Sequence, residues 1–252
     1  MLSGRERERY RRQMMLFGNE GQERLFKAHI FIAGAGGLGS PVSLYLAVAG
    51  VGTISIADMD TVDLTNLNRQ ILHSDRDIGK KKAVSAEEKL AAINPDIRIN
   101  AIDTRIDEGN AARLVGNADG IVDAMDNYPT RYLLNDVAIQ KEIPLFHGGI
   151  HGFYGQATTI IPKKTPCLKC IFPKAPPREV FPVVGATAGV IGTVQATEVL
   201  KYLLQSGDLL AGRLFFWDGL AGRAEEIHAE RIPRCPACGG TGTDIHAGGM
   251  KN

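Results

Sequence analysis

The sequence predicts an α/β fold, a mostly parallel sheet continued by antiparallel strands, and three observations carry that prediction. The apolar run Ile30-Phe31-Ile32-Ala33 enters the glycine cluster Gly34-Ala35-Gly36-Gly37-Leu38-Gly39-Ser40, and an apolar helical stretch follows through Leu44, Leu46 and Val48. Short apolar strands then alternate with helical segments as far as residue 143, the pattern of βαβ units. From residue 144 the alternation gives way to paired strands joined by glycine-rich turns.

Taken in order, residues 4–27 place Met14, Met15, Phe17, Leu25 and Phe26 at helical spacing among charges, which predicts one or two short helices separated at Gly18 and Gly21. Gly50-Val51-Gly52 ends the helix after the glycine cluster, and residues 53–58 form a second, parallel strand closed by Asp58. A helix over 80–93 is halted at Asn94-Pro95, and residues 97–102 alternate as a strand does. A short helix at 111–115 precedes a buried strand over 120–127 ending in Asp126-Asn127, and Pro129 starts a helix over 130–141. Residues 144–149 and 153–161 are strands. Pro173, Pro176, Pro177 and Pro182 make 173–184 a loop, an apolar helix covers 187–204, and 213–218 with 224–228 form a terminal hairpin. A chain of 252 residues buries an ample core, and one domain is expected over 1–252, with a helical arm at 1–29 and a flexible tail at 239–252.

With 29 basic and 28 acidic residues the net charge is +1, which argues against nucleic acid or an anionic membrane as the main partner. The stretch Arg5 to Arg12 alternates in charge and lacks the apolar core of a signal peptide, and no apolar run approaches the roughly 20 residues that span a bilayer. A cytoplasmic protein is expected. The four cysteines fall into the pairs Cys167-x-x-Cys170 and Cys235-x-x-Cys238, which in that compartment favours metal over disulfides. They suit a tetrahedral four-cysteine zinc site of structural type, since four thiolates leave no open position for water; reduced thiols or a redox pair are the alternative.

Gly34, Gly36 and Gly39 fit the G-x-G-x-x-G spacing of a Rossmann-like phosphate loop, with the helix start facing the anion. Asp58 lies about 20 residues further on, where a carboxylate accepts hydrogen bonds from a ribose diol; the bland reading is an aspartate that merely ends a strand. This much predicts a nucleotide and no reaction. Beyond Asp58, however, Asn66, Arg69 and Lys82 gather an amide and two cations near the carboxyl edge of the sheet, which suggests a triphosphate. Each cation about 4 Å from a phosphate oxygen is worth roughly 4 kcal/mol at an effective dielectric near 20. It acts most usefully on charge that develops in the transition state. Asp126 would supply a carboxylate for Mg²⁺. Against these stand solvated roles for Arg69 and Lys82 and a helix-capping role for Asp126.

Together and in this order, these residues resemble the MoeB/ThiF/HesA family, bacterial relatives of ubiquitin-activating enzymes. The resemblance runs from Arg9-Tyr10-Arg11-Arg12-Gln13 through the glycine loop, Asp58 to Gln70, Lys82 and Asp126-Asn127 to both cysteine pairs, about residues 8–240. It implies a Rossmann-like ATP-binding half at 30–143 and a carrier-binding and zinc half at 144–238. It further implies that Mg-ATP is held by Gly34, Gly36, Gly37, Gly39, Asp58, Asn66, Arg69, Gln70, Lys82 and Asp126, the last catalytically required and Mg²⁺-associated. The C-terminal glycine carboxylate of a ubiquitin-like sulfur carrier ending in Gly-Gly, of molybdopterin-synthase or thiamine type, would attack the α-phosphate to give an acyl-adenylate and pyrophosphate. Arg12 would reach the ATP of the opposite subunit, so that a homodimer is required. An ionised carboxylate needs no general base, so His73, His147 and His151 are expected to be structural or surface residues. Residues 178–185 contain no cysteine, which predicts that the reaction stops at the adenylate and that a separate donor supplies sulfur. The rival readings are a nucleotide-dependent oxidoreductase, a tRNA-modifying member of the same superfamily and a non-catalytic scaffold.

Overall fold

The computed structural model describes residues 2–176 and 182–239. Ser3 and Glu6 form a capping box that opens α1 (Gly4–Arg9), and α2 (Arg11–Lys27) follows after Tyr10. One break therefore falls at Tyr10, which the spacing does not offer, and the expected one falls at Gly18. Gly18, at φ 67° and ψ −174°, is non-helical and divides α2 into two helical segments that meet at a sharp kink, whereas Gly21 lies within the second. Tyr10 is buried, its hydroxyl accepting a hydrogen bond from Asn94 Nδ2 at 2.8 Å, and this distant contact fixes the corner.

The parallel half comprises β1 (His29–Ala33), α3 (Gly39–Ala49), β2 (Thr53–Ala57), 3₁₀ turns at Leu64–Asn66 and Asp75–Asp77, α4 (Lys82–Ile93), β3 (Arg98–Ile102), α5 (Ala111–Val115), β4 (Gly120–Asp123) and α6 (Tyr128–Lys141). The second half comprises β5 (Leu145–His151), β6 (Tyr154–Ile160), α7 (Leu168–Ile171), α8 (Gly185–Leu204), β7 (Arg213–Asp218) and β8 (Arg223–His228). All the strands join one sheet in the order β3-β2-β1-β4-β5-β6-β7-β8. It is parallel from β3 to β5 and antiparallel from β5 to β8, with Ile32 opposite Ile56 and Val122, and Gly148 opposite Ala157. This is the expected mixed fold.

Two boundaries differ in an instructive way. β4 stops at Asp123, short of Asn127, because Asp123 Oδ1 accepts the Met125 amide at 3.1 Å and turns the chain out of the sheet. The short helix α7, unforeseen in the sequence, winds Cys167 and Cys170 into one turn. The predicted tail at 240–252 lies outside the described residues.

The period-two alternation of the strands divides the core. Ile30, Ile32, Ile54, Val122 and Phe146 pack beneath Leu46, Leu90, Ile191 and Val199 of α3, α4 and α8, while Phe31, Ile121 and Leu145 face Val115, Leu134 and Leu168 on the other side. Among the described residues no helix is long and apolar enough to cross a membrane.

Candidate functional site

From β1 the chain passes to β2 on one side, whereas β4 pairs with β1 on the other. The carboxyl ends of these strands thus frame the crevice where open α/β sheets bind ligands. Gly34 adopts φ +102°, and a Cβ there would stand 2.7 Å from the Ala124 carbonyl oxygen; at Gly39 it would collide with Gly34 O. These two glycines are needed to fold the loop. At Gly36 and Gly37 the nearest protein atoms would be 3.7 and 3.5 Å away, so their bareness serves an approach from outside. Among the described residues the amides of Gly36, Gly37 and Leu38 have no hydrogen-bond partner, and α3 begins without a side-chain cap. That is a row of donors for an anion.

Asp58 is tied into the loop, Oδ2 accepting from Ala35 N and Oδ1 from Asp60 N, both at 2.8 Å. The other face of the Ala35 residue is held by buried His73, whose Nε2 lies 2.9 Å from Ala35 O while Nδ1 lies 2.9 Å from Ser85 Oγ. A carbonyl can only accept, so Nε2 carries the proton and Nδ1 receives the hydroxyl. Burial lowers the His73 pKa against the opposing pull of the Ala35 carbonyl, and nearby Lys82 lowers it further.

The remaining predicted residues gather around this loop. Arg69 packs its stem near Gly37 and donates through Nη1 to Thr65 O and Asn68 Oδ1, both at 2.9 Å. No carboxylate pairs with it among the described residues. Asn66 Oδ1 accepts from Asp63 N at 3.2 Å. Gln70 is buried beside Gly36 with Oε1 unpartnered. Lys82, only 6% exposed, donates to Asp60 Oδ2 at 2.9 Å, so it is no solvated surface lysine. Asp126 is exposed, and Asn127, not Asp126, caps α6 through Thr130 N at 3.0 Å. A 3.4 Å contact from Asn127 Nδ2 is the one hydrogen bond to the Asp126 carboxylate among the described residues.

Arg12 stands apart. Its neighbour Gln13 donates to Ala49 O at 2.7 Å, at the far end of α3, a helix of 11 residues. At 1.5 Å per residue that end is about 16 Å from the glycine loop. Arg12 itself is exposed, without a hydrogen bond or ion pair among the described residues.

One group escaped the sequence reading. Fully buried Asp123 holds His147 Nδ1 at 2.7 Å and lies 3.9 Å from Arg131 Nε. Arg131 donates from Nε and Nη2 to Met125 O at 3.1 and 2.6 Å, and Gln195 Nε2 donates to Asp123 O and Phe146 O, both at 2.9 Å. Burial lowers the His147 pKa although Asp123 pulls it upward, and the Arg131 guanidinium adds to the lowering. The available signal was a charged residue, Asp123, inside an otherwise apolar strand. His73 and His147 are buried and hydrogen-bonded within the fold, and His151 is exposed.

A pH dependence follows. His73 and His147 have lowered folded pKa values, so below the unfolded value near 6.5 the unfolded chain binds more protons than the native one. Their stabilisation is complete above about pH 6.5 and is lost as pH falls toward the folded values. The thermal midpoint should be level from about pH 8 to 7 and decline toward pH 5.5. A His73→Gln variant should decline less steeply over the same series of melts.

On the other face, the four cysteine sulfurs lie within 4.8 Å of one another. Cys167 Sγ is 3.9 Å from Cys170 Sγ and 3.6 Å from Cys235 Sγ, and Cys170 Sγ is 3.4 Å from Cys238 Sγ. Zn–S bonds of about 2.3 Å in a tetrahedron give sulfur–sulfur edges of about 3.8 Å. The donor set therefore fits zinc. Burial raises the Cys167 and Cys170 thiols, whereas Cys235, against the effect of its own burial, is brought down to about 7 by the amides of Cys238 and Ala237. The Ile232 amide also donates to Cys170 Sγ at 3.4 Å, a contact that favours thiolate.

Known proteins share this architecture. The SAMP-activating enzyme E1 of Haloferax volcanii is 43% identical over 251 residues, 96% of this chain and 93% of that protein. The sulfur carrier protein adenylyltransferase of Thermus thermophilus is 43% identical over 247 residues, 93% of this chain and 91% of that protein. Adenylyltransferase and sulfurtransferase MOCS3 of Culex quinquefasciatus is 43% identical over 226 residues, covering 86% of this chain and 52% of its own length, so the chain spans about half of it. Among solved structures, Escherichia coli MccB with AMPCPP and MccA superposes with a TM-score of 0.83 at 25% identity, over 92% of this chain and 74% of that one. The ThiF family matches residues 10–237, and the chain belongs to it.

Proposed function

We propose that the chain is an ATP-dependent adenylyltransferase that activates the C-terminal glycine of a small ubiquitin-like sulfur carrier ending in Gly-Gly. The observation that carries this reading is the pairing of uncompensated groups at one crevice. Loop amides and an Arg69 that have, respectively, no hydrogen-bond partner and no carboxylate partner among the described residues would meet a phosphate's negative charge, and the exposed Asp126, spared from capping, is available to a cation. The names of relatives 43% identical over most of the chain point to the same activity. An oxidoreductase or tRNA-modifying role leaves these groups, or those relatives, unexplained.

In this reading the amides of Gly36, Gly37 and Leu38 and the side chains of Asn66, Arg69, Gln70 and Lys82 hold the phosphates, and Asp58 takes the ribose. Asp126 would hold Mg²⁺, which when bound supplies positive charge beside the phosphates. A carboxylate oxygen of the carrier's terminal glycine bonds to the α-phosphorus. The bond from that phosphorus to the bridging oxygen breaks, and its electrons leave with pyrophosphate. Arg69 and Lys82 stabilise the charge that accumulates on the departing oxygens. The attacking carboxylate is already ionised near pH 7, so no proton has to be removed.

Cys167, Cys170, Cys235 and Cys238 would hold structural zinc, and unpaired cysteines of this kind suit the reducing cytoplasm. The antiparallel half would receive the carrier, with exposed Phe153 and Tyr154 at the start of β6 as candidate contacts. Of the proline-rich loop, residues 177–181 lie outside the described residues, and so does half of the cysteine-free stretch at 178–185. The sequence holds no fifth cysteine, which supports an adenylate end product and a separate sulfur donor.

Arg12 lies too far from its own loop to serve it, which supports action in a homodimer. Beside it on α2, Met15 and Leu16 are 82% and 87% exposed, and Tyr45 and Val48 of α3 are exposed as well, an apolar surface suited to a second copy. Arg12→Ala and Asp126→Ala chains, each inactive alone, are mixed and reassembled to test this. Carrier-dependent ATP–pyrophosphate exchange should return to roughly a quarter of the wild-type level, the statistical share of intact sites in random dimers. No recovery in verified heterodimers would refute a site shared between subunits.

A further inference from the structure

We propose that Arg131 is a positioning residue for Asp126, an inference that rests on the adenylyltransferase reading above. The segment from Asp123 to Asn127 serves two neighbours. Ala124 O packs against Gly34 of the phosphate loop, and Asp126, two residues further on, is exposed. Its course is set one peptide at a time. Ala124 N donates to Ala33 O at 3.0 Å, which ties the segment to the end of β1. Met125 N donates to Asp123 Oδ1 at 3.1 Å, and Met125 O takes two N–H groups from the Arg131 guanidinium. The peptide that follows Met125 carries Asp126. Arg131 therefore grips the carbonyl immediately before the residue assigned to the metal.

The guanidinium is itself held firmly. Asp123 faces it at 3.9 Å, and the Tyr128 ring lies beneath it with the centroid 5.2 Å from Cζ. His147 from β5 and Gln195 from α8 fix Asp123 in turn, by its carboxylate and by its carbonyl. Bringing a buried guanidinium, a buried carboxylate and a buried imidazole together costs desolvation, and such clusters are weak sources of stability. Here the cluster converges on one main-chain carbonyl at the rim of the crevice. A planar fork can direct two donors at that carbonyl where an ammonium offers a single point of attachment. Displacing a catalytic group by about 1 Å can cost a hundredfold in rate, so the arrangement has a function to protect.

The test compares Arg131→Met and Arg131→Lys with wild type in two measurements: carrier-dependent ATP–pyrophosphate exchange, and calorimetric titration of Mg²⁺ into the chain saturated with a non-hydrolysable ATP analogue. Arg131→Met should lower kcat about 30-fold, leave the KM for the carrier within about twofold, and weaken Mg²⁺ about fivefold. Arg131→Lys, which keeps a cation beside Asp123, should recover about half of each logarithmic loss and carries the test if the Met variant does not fold. In an Asp126→Ala background, Arg131→Met should weaken Mg²⁺ no further, because its effect acts through that carboxylate. Wild-type kcat and Mg²⁺ affinity in both Arg131 variants, or an undiminished Mg²⁺ effect without Asp126, would overturn the proposal. Absence of exchange in the wild-type chain would instead count against the adenylyltransferase reading, and the Mg²⁺ titration still decides the role of Arg131.

Discussion

Asp126→Ala is expected to lower kcat for carrier-dependent pyrophosphate exchange by about a thousandfold, or about 4 kcal/mol of transition-state stabilisation. Its thermal midpoint should stay within about 1 °C of wild type. The contrast follows from how the side chain is spent. Asn127 caps α6, and the Asp126 carboxylate is exposed with a single weak contact among the described residues, so its removal leaves no buried partner unsatisfied among them. On the proposed reading, its value lies in the negative charge it offers to a cation among phosphates. Exchange kinetics read beside a thermal melt decide the matter. A variant that keeps most of its activity removes Asp126 from the mechanism, and one that loses activity together with stability reassigns it to structure.

Stripping metal from the cysteine cluster is expected to lower the thermal midpoint by roughly 10 °C while leaving ATP affinity within about twofold. A ligand present at about a thousand times its dissociation constant stabilises by about 4 kcal/mol, and a chain of this size shifts about 2–4 °C per kcal/mol. The loss should be regional. The sulfurs join α7 to the segment after β8, Leu168 N donates to Asn135 Oδ1 at 2.8 Å, and Tyr132 donates to Phe172 O at 2.7 Å, so the cluster clamps that segment over α6. The phosphate loop packs through Ala35 and Leu38 into the other core cluster, apart from the one that holds Cys167, Cys170 and Cys235. Calorimetric melts before and after chelation, with zinc then restored, supply the check. A stable, metal-free chain with an unchanged midpoint would show the cysteines to be ordinary reduced thiols.

Local chemistry made the first half of the fold legible. The strand–glycine–helix order, the carboxylate at Asp58 and the alternating periods needed no distant partner to be read. What the sequence concealed depends on contacts between remote residues. The corner at Tyr10 is set by Asn94, 84 positions away. The early end of β4 is set by a side chain that turns back on its own backbone at Asp123, a competition that apolar periodicity does not register. The cysteine cluster was legible because each pair chelates within one turn, so spacing alone reported the geometry. The Asp123, Arg131, His147 and Gln195 group was not, since β4, α6, β5 and α8 must first assemble. Lys82 is an intermediate case: its type and place were readable, but its burial against Asp60 was not.

The most direct measurement is ATP–pyrophosphate exchange by the wild-type chain with a ubiquitin-like sulfur carrier ending in Gly-Gly, with the same carrier lacking its last glycine, and with no carrier. Exchange is predicted with the intact carrier alone. Equal exchange without any carrier, or none with a panel of intact carriers while a nicotinamide cofactor binds tightly, would contradict the adenylyltransferase reading.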